Sequence, residues 1–96
     1  MSLYEKHVDS FSRLMSEVRR LDSDAGVRLL GSFKGRRCLI FLTRSVDGYV
    51  LILCAASGGE NPLPGRRLGA EHFDNLSQVE AFLKDATKGH TNAFVY

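Results

Sequence analysis

Residues 36–56, RRCLIFLTRSVDGYVLILCAA, decide the fold of this chain. Two apolar segments, Cys38–Thr43 and Tyr49–Ala55, are rich in the residue types that favour β-strands. The dipeptide Asp47-Gly48 lies between them and is typical of a type I′ hairpin turn. The stretch therefore predicts an antiparallel hairpin. A two-residue loop at this dipeptide sets three cross-strand pairs: Val46 with Tyr49, Phe41 with Cys54, and Leu39 with Ala56.

Both faces of this hairpin are apolar, because side chains alternate between faces with a period of two. One face carries Cys38, Ile40, Leu42, Leu51, Leu53 and Ala55. The other carries Leu39, Phe41, Thr43, Val50, Ile52, Cys54 and Ala56. Neither face suits contact with water, so the hairpin is expected at the centre of a sheet that is covered on both sides. Either each helix covers one face, or both helices cover one face and a second copy of the protein covers the other.

The two cysteines, Cys38 and Cys54, are predicted to point to opposite faces of the hairpin. That geometry excludes a disulfide between them. Reduced, buried thiols suit a cytosolic protein, so we expect a cytoplasmic location.

The length of the chain, residues 1–96, predicts a single domain. Its 44% hydrophobic content is enough for a core. No apolar run approaches the ~20 residues that a membrane-spanning helix needs. The first ten residues, MSLYEKHVDS, lack the apolar segment of a signal peptide. We therefore expect neither membrane insertion nor secretion by that route.

The N-terminal segment Leu3–Leu21 predicts an amphipathic helix. Ser2 and Glu5 have the spacing of a capping box. Apolar residues recur at helical intervals, at Tyr4, Val8, Phe11, Met15 and Val18. The polar run 22–26 is expected to end the helix. Val27–Phe33 then predicts a first strand, which a Lys34-Gly35 turn joins to the next with Leu29 opposite Ile40 and Val27 opposite Leu42.

The C-terminal half predicts a loop, a helix and two further short strands. Ser57–Gly69 is rich in glycine and proline and predicts a loop, while Arg66–Phe73 is a candidate fourth strand. Ser77 and Glu80 have capping-box spacing, and a helical stripe follows at Leu76, Val79, Phe82, Leu83 and Ala86. His90–Tyr96 predicts a short edge strand. The fold class is α+β, a three- to five-stranded antiparallel meander with an N-terminal and a C-terminal helix.

The charge of the chain is unevenly distributed, although the net charge is only +2. Residues 13–44 contain eight of the thirteen basic residues, and nine of the thirteen are arginines. Arginine suits phosphate and carboxylate recognition. The basic residues of two predicted loops are the candidate partner-binding or phosphate-binding residues: Lys34, Arg36, Arg37, Arg66 and Arg67. Alternatively, they are solvated charges that keep neighbouring strands from aggregating.

No residue pattern in the chain indicates catalysis. The histidines His7, His72 and His90 lack metal-ligand spacing. No nucleophile motif or phosphate-binding glycine loop occurs. Glu60 and His72 are the best candidates for a catalytic acid and base. Catalysis by this pair would require a pocket near the Ser57–Gly69 loop. We expect no enzyme activity, no metal and no cofactor.

These patterns favour a small non-enzymatic interaction protein: an adaptor, an inhibitor or a regulatory subunit. Another protein is the expected partner, and a homodimer through a sheet face is possible. The alternative is nucleic-acid binding through the arginine-rich hairpin and loop. Phe41 and Tyr49 are interpreted as core or edge residues, so no strand for base stacking is predicted.

Overall fold

The computed structural model describes residues 6–22, 25–57, 63–88 and 90–96. Their chain order is β-α-β-β-β-β-α-β. The strands are β1 (Lys6–Val8), β2 (Gly26–Phe33), β3 (Arg36–Ser45), β4 (Gly48–Ser57), β5 (Leu63–Phe73) and β6 (Ala93–Val95). The helices are α1 (Phe11–Arg19) and α2 (Leu76–Thr87).

The strands form one antiparallel sheet in the order β1-β6-β2-β3-β4-β5. The α+β class, the meander and the two helices are confirmed. The sheet has six strands, one more than the largest number predicted. The additional strand is β1, and it comes from residues for which the sequence predicted helix.

The helix predicted over Leu3–Leu21 is wrong for Lys6–Val8, which forms a strand, and for the two residues that follow it. Lys6–Val8 pairs with β6, and Val8 is fully buried opposite Ala93. The helix begins only at Phe11, where Ser10 Oγ accepts a hydrogen bond from the Arg13 N–H at 3.2 Å. Pairing with a distant strand thus overrides the local helical period. The predicted capping residues Ser2 and Glu5 lie outside the described residues.

The second helix forms as predicted, but its cap differs. Asn75, rather than Ser77, is the N-cap, and its side chain accepts a hydrogen bond from the Gln78 N–H at 3.0 Å. The Gln78 side chain in turn accepts one from the Asp74 N–H at 2.8 Å. Two of the backbone N–H groups at this helix start are therefore satisfied by side chains.

One of the two predicted hairpin registers is correct. The β2–β3 turn is Lys34-Gly35, with φ of 52° and 77°, and Leu29 faces Ile40 as predicted. In the β3–β4 hairpin, Ser45 faces Gly48, so the loop is Val46-Asp47 and the predicted register is wrong by two residues. An even shift leaves each side chain on its predicted face.

Strands β5 and β6 both form, in positions that the sequence did not fully predict. β5 begins at Leu63, inside the segment that was predicted as a loop. Register shifts opposite Cys54 mark bulges in this edge strand, and bulges discourage edge-to-edge pairing. β6 is not an edge strand, because it lies between β1 and β2.

Both helices pack on the same face of the sheet, which confirms the helix placement, and only that, of the second predicted arrangement. Leu14, Val18, Val79 and Leu83 are fully buried there, and each contributes about 1.5–3 kcal/mol by leaving water. The core cluster contains Val8, Leu14, Met15, Val18, Leu21, Val27, Leu29, Cys38, Ile40, Leu42, Tyr49, Leu51, Leu53, Val79, Leu83, Ala86 and Ala93. The opposite face of the sheet has no helix over it among the described residues.

Candidate functional site

The sheet face opposite the helices, called the open face below, has an apolar centre. Directly opposed residues on neighbouring strands share a face, so the strand registers define its members. Its apolar side chains are Leu30, Leu39, Phe41, Val50, Ile52, Cys54, Ala56, Ala70 and Phe94. Leu39 is 4% exposed, and Phe41, Ile52 and Phe94 are half-buried. The half-buried side chains leave part of their apolar surface exposed on this face.

A row of side chains, one from each strand, crosses the open face, and its first four members are aromatic or basic. Its members, in strand order, are His7, Phe94, Arg28, Phe41, Ile52 and Ala70. Arg28 Cζ lies 4.9 Å from the centre of the Phe94 ring, and the His7 ring centre lies 4.8 Å from it on the neighbouring strand. Adjacent strands are about 4.8 Å apart, so Phe94 and Phe41 lie on either side of Arg28, roughly 10 Å from each other.

The charged groups on the open face are all basic among the described strands. Arg28, Arg37 and Arg67 share this face with His7 and His72. Glu71 shares the helix side with Leu51, and Glu17 belongs to α1. Only His72, at one end of the face, lies beside carboxylates, those of Asp47 and Asp74. The open face therefore combines an apolar centre with three arginines around it.

The structure brings the two predicted basic segments to one end of the sheet. Cys38 faces Ala55 and Ala56 faces Pro64, so the β2–β3 turn and the start of β5 lie two strands apart, roughly 10 Å. We call this cluster the basic end. It consists of Lys34, Arg36, Arg37, Arg66 and Arg67, all exposed.

The predicted acid–base pair is not assembled among the described residues. Glu60 lies outside them. His72 instead contacts Asp47, with Nε2 at 3.2 Å from Oδ1, and both side chains are exposed. The His72 hydrogen bond is the largest cause that lowers the pKa of Asp47, followed by the hydrogen bond from Ser45. The pair ties the β3–β4 turn to β5 on the surface.

No group of three or more metal-ligating side chains occurs within the described part of the chain. Cys38 is buried under the helices and Cys54 is half-buried on the open face, and both are free thiols. Their predicted placement on opposite faces is confirmed. No helix of the described residues is long and apolar enough to cross a membrane.

Sequence reasoning missed Arg28 and Phe94 as members of a possible site and treated Phe41 as a core or edge residue. A charged residue inside the apolar segment Val27–Phe33 was the available signal for Arg28. Phe94 had no such signal, because its position depends on where β6 enters the sheet.

Comparison with known proteins found no match: no family model, no curated protein and no solved structure matches the chain.

Proposed function

We propose that this chain is a non-enzymatic interaction protein that acts by protein–protein binding, and that its open face binds a second copy of the chain. The observation that supports this proposal is that both helices cover one face, while the described part of the chain places no helix over the other, apolar face. Phe41 and Ile52 mark the centre of the surface that would be buried.

The size of the open face suits a stable interface. Six strands span about 29 Å, and the molecule measures 32 × 30 Å along its two longest axes. A standard interface buries roughly 800 Å² per partner, with an apolar core and a polar rim. The open face has that distribution, with Phe41 and Ile52 at the centre and Arg37, Arg67 and His72 around it.

Repulsion between the basic rims of two copies does not outweigh this apolar contact. Two like charges 4 Å apart in water repel by about 1 kcal/mol. A standard interface buries about 900 Å² of apolar surface over both partners, a far larger contact than exposed pairs of like charges at the rim oppose.

Light scattering of the wild-type chain and of two lysine variants tests the proposal. The wild type is expected to be a dimer at micromolar concentration, and Ile52→Lys a monomer. Ser16→Lys is the matched control, because Ser16 is exposed on α1 and lies away from the open face. A wild-type chain that is monomeric at every concentration would contradict self-association.

Alkylation of Cys54 gives a second test that uses only the wild-type chain, so it does not require that a variant folds. Cys54 lies on the open face beside Leu39. Its reaction rate in the wild type is expected to fall as the protein concentration rises, because the second copy covers it. A rate that is independent of concentration argues against a contact through this face.

Nucleic-acid binding is the second candidate function, favoured by the convergence of both basic segments at one end of the sheet. Single-stranded nucleic acid could stack its bases on Phe94 and Phe41 and place phosphates at the basic end. Five phosphate contacts predict that log K falls with log salt with a slope of about −3.5.

Fluorescence anisotropy with labelled oligo(dT) and oligo(U) tests this second candidate. The double variant Arg36→Gln with Arg37→Gln is expected to flatten the slope by about 1.4. Arg13→Gln with Arg19→Gln is the charge-matched control, since both arginines are exposed on α1. No binding at low salt would exclude this candidate, and the dimer proposal would be unaffected.

A further inference from the structure

A cavity of about 590 Å³ lies where α2 ends and β6 separates from β2. β6 pairs with β2 over Val27–Leu29, and the Leu30 N–H donates to the Asn92 carbonyl at 3.2 Å. Further along, Gly31 and Ser32 line the cavity instead of pairing with β6. The cavity therefore occupies the gap between the second half of β2 and the connection from α2 to β6.

The polar groups that line this cavity are suited to an anion. Arg37, Lys88 and His90 supply up to three positive charges, and Asn92 supplies an amide. Ser32 and Thr87 add hydroxyl groups. The lining described for this cavity contains no carboxylate, and each of these groups can donate a hydrogen bond.

We propose that this cavity binds a phosphate group, presented as inorganic phosphate or as a phosphate monoester such as a mononucleotide. Arginine and lysine form short, charge-assisted hydrogen bonds with phosphate oxygens. The volume lies within the 300–1,000 Å³ range of small-molecule sites, so it can hold a nucleoside beside the phosphate. Lys88 and His90 do not belong to the open face, whereas Leu30 and Arg37 belong to both, so the site adjoins the proposed dimer interface along the edge of β2.

The negative end of the α2 dipole does not cancel these charges. A helix C-terminus carries about half a negative charge. Lys88 alone carries one positive charge, so about half a positive charge remains at the cavity before Arg37 and His90 are counted. Compensation of the helix dipole alone would need only one of these side chains.

The backbone of Lys88 gives a way to separate a ligand-binding role from a structural one. Lys88 is the C-cap of α2 with φ 50° and ψ 43°. This left-handed conformation is the one that glycine adopts at helix ends without a steric penalty. Lys88→Gly therefore removes the charge and relieves backbone strain at the same time.

The side chain of Asn92 is fixed by a contact with His7 and keeps a donor for a ligand in the cavity. Its Oδ1 lies 2.8 Å from His7 Nε2, so the carbonyl side of this amide is engaged by β1. The NH₂ group of the amide is the donor that can turn towards a bound oxyanion. A preorganised donor loses less side-chain entropy when the ligand binds.

Titration of the wild-type chain with inorganic phosphate, and separately with uridine monophosphate, tests the site by amide chemical shifts at constant ionic strength. Shifts at Gly31, Lys88 and His90 are expected with both ligands. Tighter binding of uridine monophosphate than of inorganic phosphate would identify a nucleotide site. Equal or tighter binding of inorganic phosphate would identify a site for the free ion. Absence of shifts at these residues with either ligand would overturn the proposal.

Matched lysine variants complete the test. Lys88→Gly is expected to bind phosphate about tenfold more weakly with a melting temperature that is unchanged or higher. Lys84→Ala removes the same charge one turn earlier on α2, outside the cavity lining, and is expected to change binding less than about twofold. Equal weakening by both variants would show that only net charge matters and would overturn the site.

Discussion

Lys6 Nζ lies 2.6 Å from Glu17 Oε2, and this ion pair joins β1 to α1. The Glu17 side chain is 12% exposed and the Lys6 side chain 47%. Arg20 lies 3.5 Å from the other carboxylate oxygen. The Lys6 hydrogen bond holds the pKa of Glu17 below its ordinary value of 4.5, against the opposing effect of burial.

Glu17→Gln should therefore destabilise the fold and change its pH dependence. We expect a loss of about 1 kcal/mol, because the pair is partly exposed. Because the pKa of Glu17 is lower in the folded protein, the ion pair stabilises the fold at pH values above the unfolded pKa of about 4.5. This stabilisation is lost as the pH falls through the pKa that Glu17 has in the folded protein.

Urea unfolding at pH 7 and below pH 4 measures this effect. The difference between wild type and Glu17→Gln should shrink at the lower pH. Glu80→Gln, at an exposed position on α2, is the control. A difference that stays constant over this pH range would contradict the assigned role of the ion pair.

Gly48→Ala should destabilise the β3–β4 hairpin strongly. Gly48 has φ 154°, a conformation that residues with a side chain rarely adopt, and an added Cβ would clash with the Phe73 carbonyl oxygen. We expect a loss of about 2 kcal/mol or more in thermal unfolding. Gly69→Ala on β5 is the control, because nothing lies within 4 Å of the added Cβ there. Similar losses in both variants would refute a specific role for Gly48.

The two thiols should react at very different rates. Cys38 is fully buried, and its burial, with a smaller effect of Cys54, raises the pKa of its thiol above the ordinary 9.0. Cys54 is half-buried on the open face. In dilute protein, mass spectrometry after brief alkylation should find the label on Cys54 and not on Cys38. Equal labelling without unfolding would show that the core opens readily.

The Asp47 carboxyl should titrate below its ordinary value, and His72 should be the reason. His72 Nε2 and Asp47 Oδ1 are 3.2 Å apart, and protonated His72 also attracts the carboxylate. Carbon-detected NMR titration should show the pKa of Asp47 rising in His72→Gln. The same pKa in wild type and variant would assign the shift to Ser45 and the backbone instead.

The two hairpins show how far turn signals predict register. Lys34-Gly35 occupies its turn as expected, since both residues have positive φ. Asp47-Gly48 does not, because the chain places Gly48 in the strand beside Phe73 and leaves a β-branched residue, Val46, fully exposed in the turn. Turn propensity describes two residues, whereas the final register also depends on contacts with β5.

The candidate site was predictable in part. Local composition identified Arg36, Arg37, Arg66 and Arg67, and the strand period identified the apolar open face. Their arrangement at one end of the sheet depends on β4 and β5 pairing, which involves residues on both sides of a glycine-rich segment. The place of Phe94 beside Arg28 depends on a pairing between the two halves of the chain, for which a single sequence carries no local signal.

The insertion of β6 between β1 and β2 has a consequence for biosynthesis. Within the described sheet, β1 has β6 as its sole neighbour, so it cannot dock before β6 has left the ribosome. His7 and its partner Asn92 are 85 residues apart, which at about 5–20 residues per second is a delay of roughly 4–17 seconds. From the emergence of β2 until β6 follows it, the nascent chain presents the free edge of β2 to other chains, so co-translational aggregation should be governed by this edge.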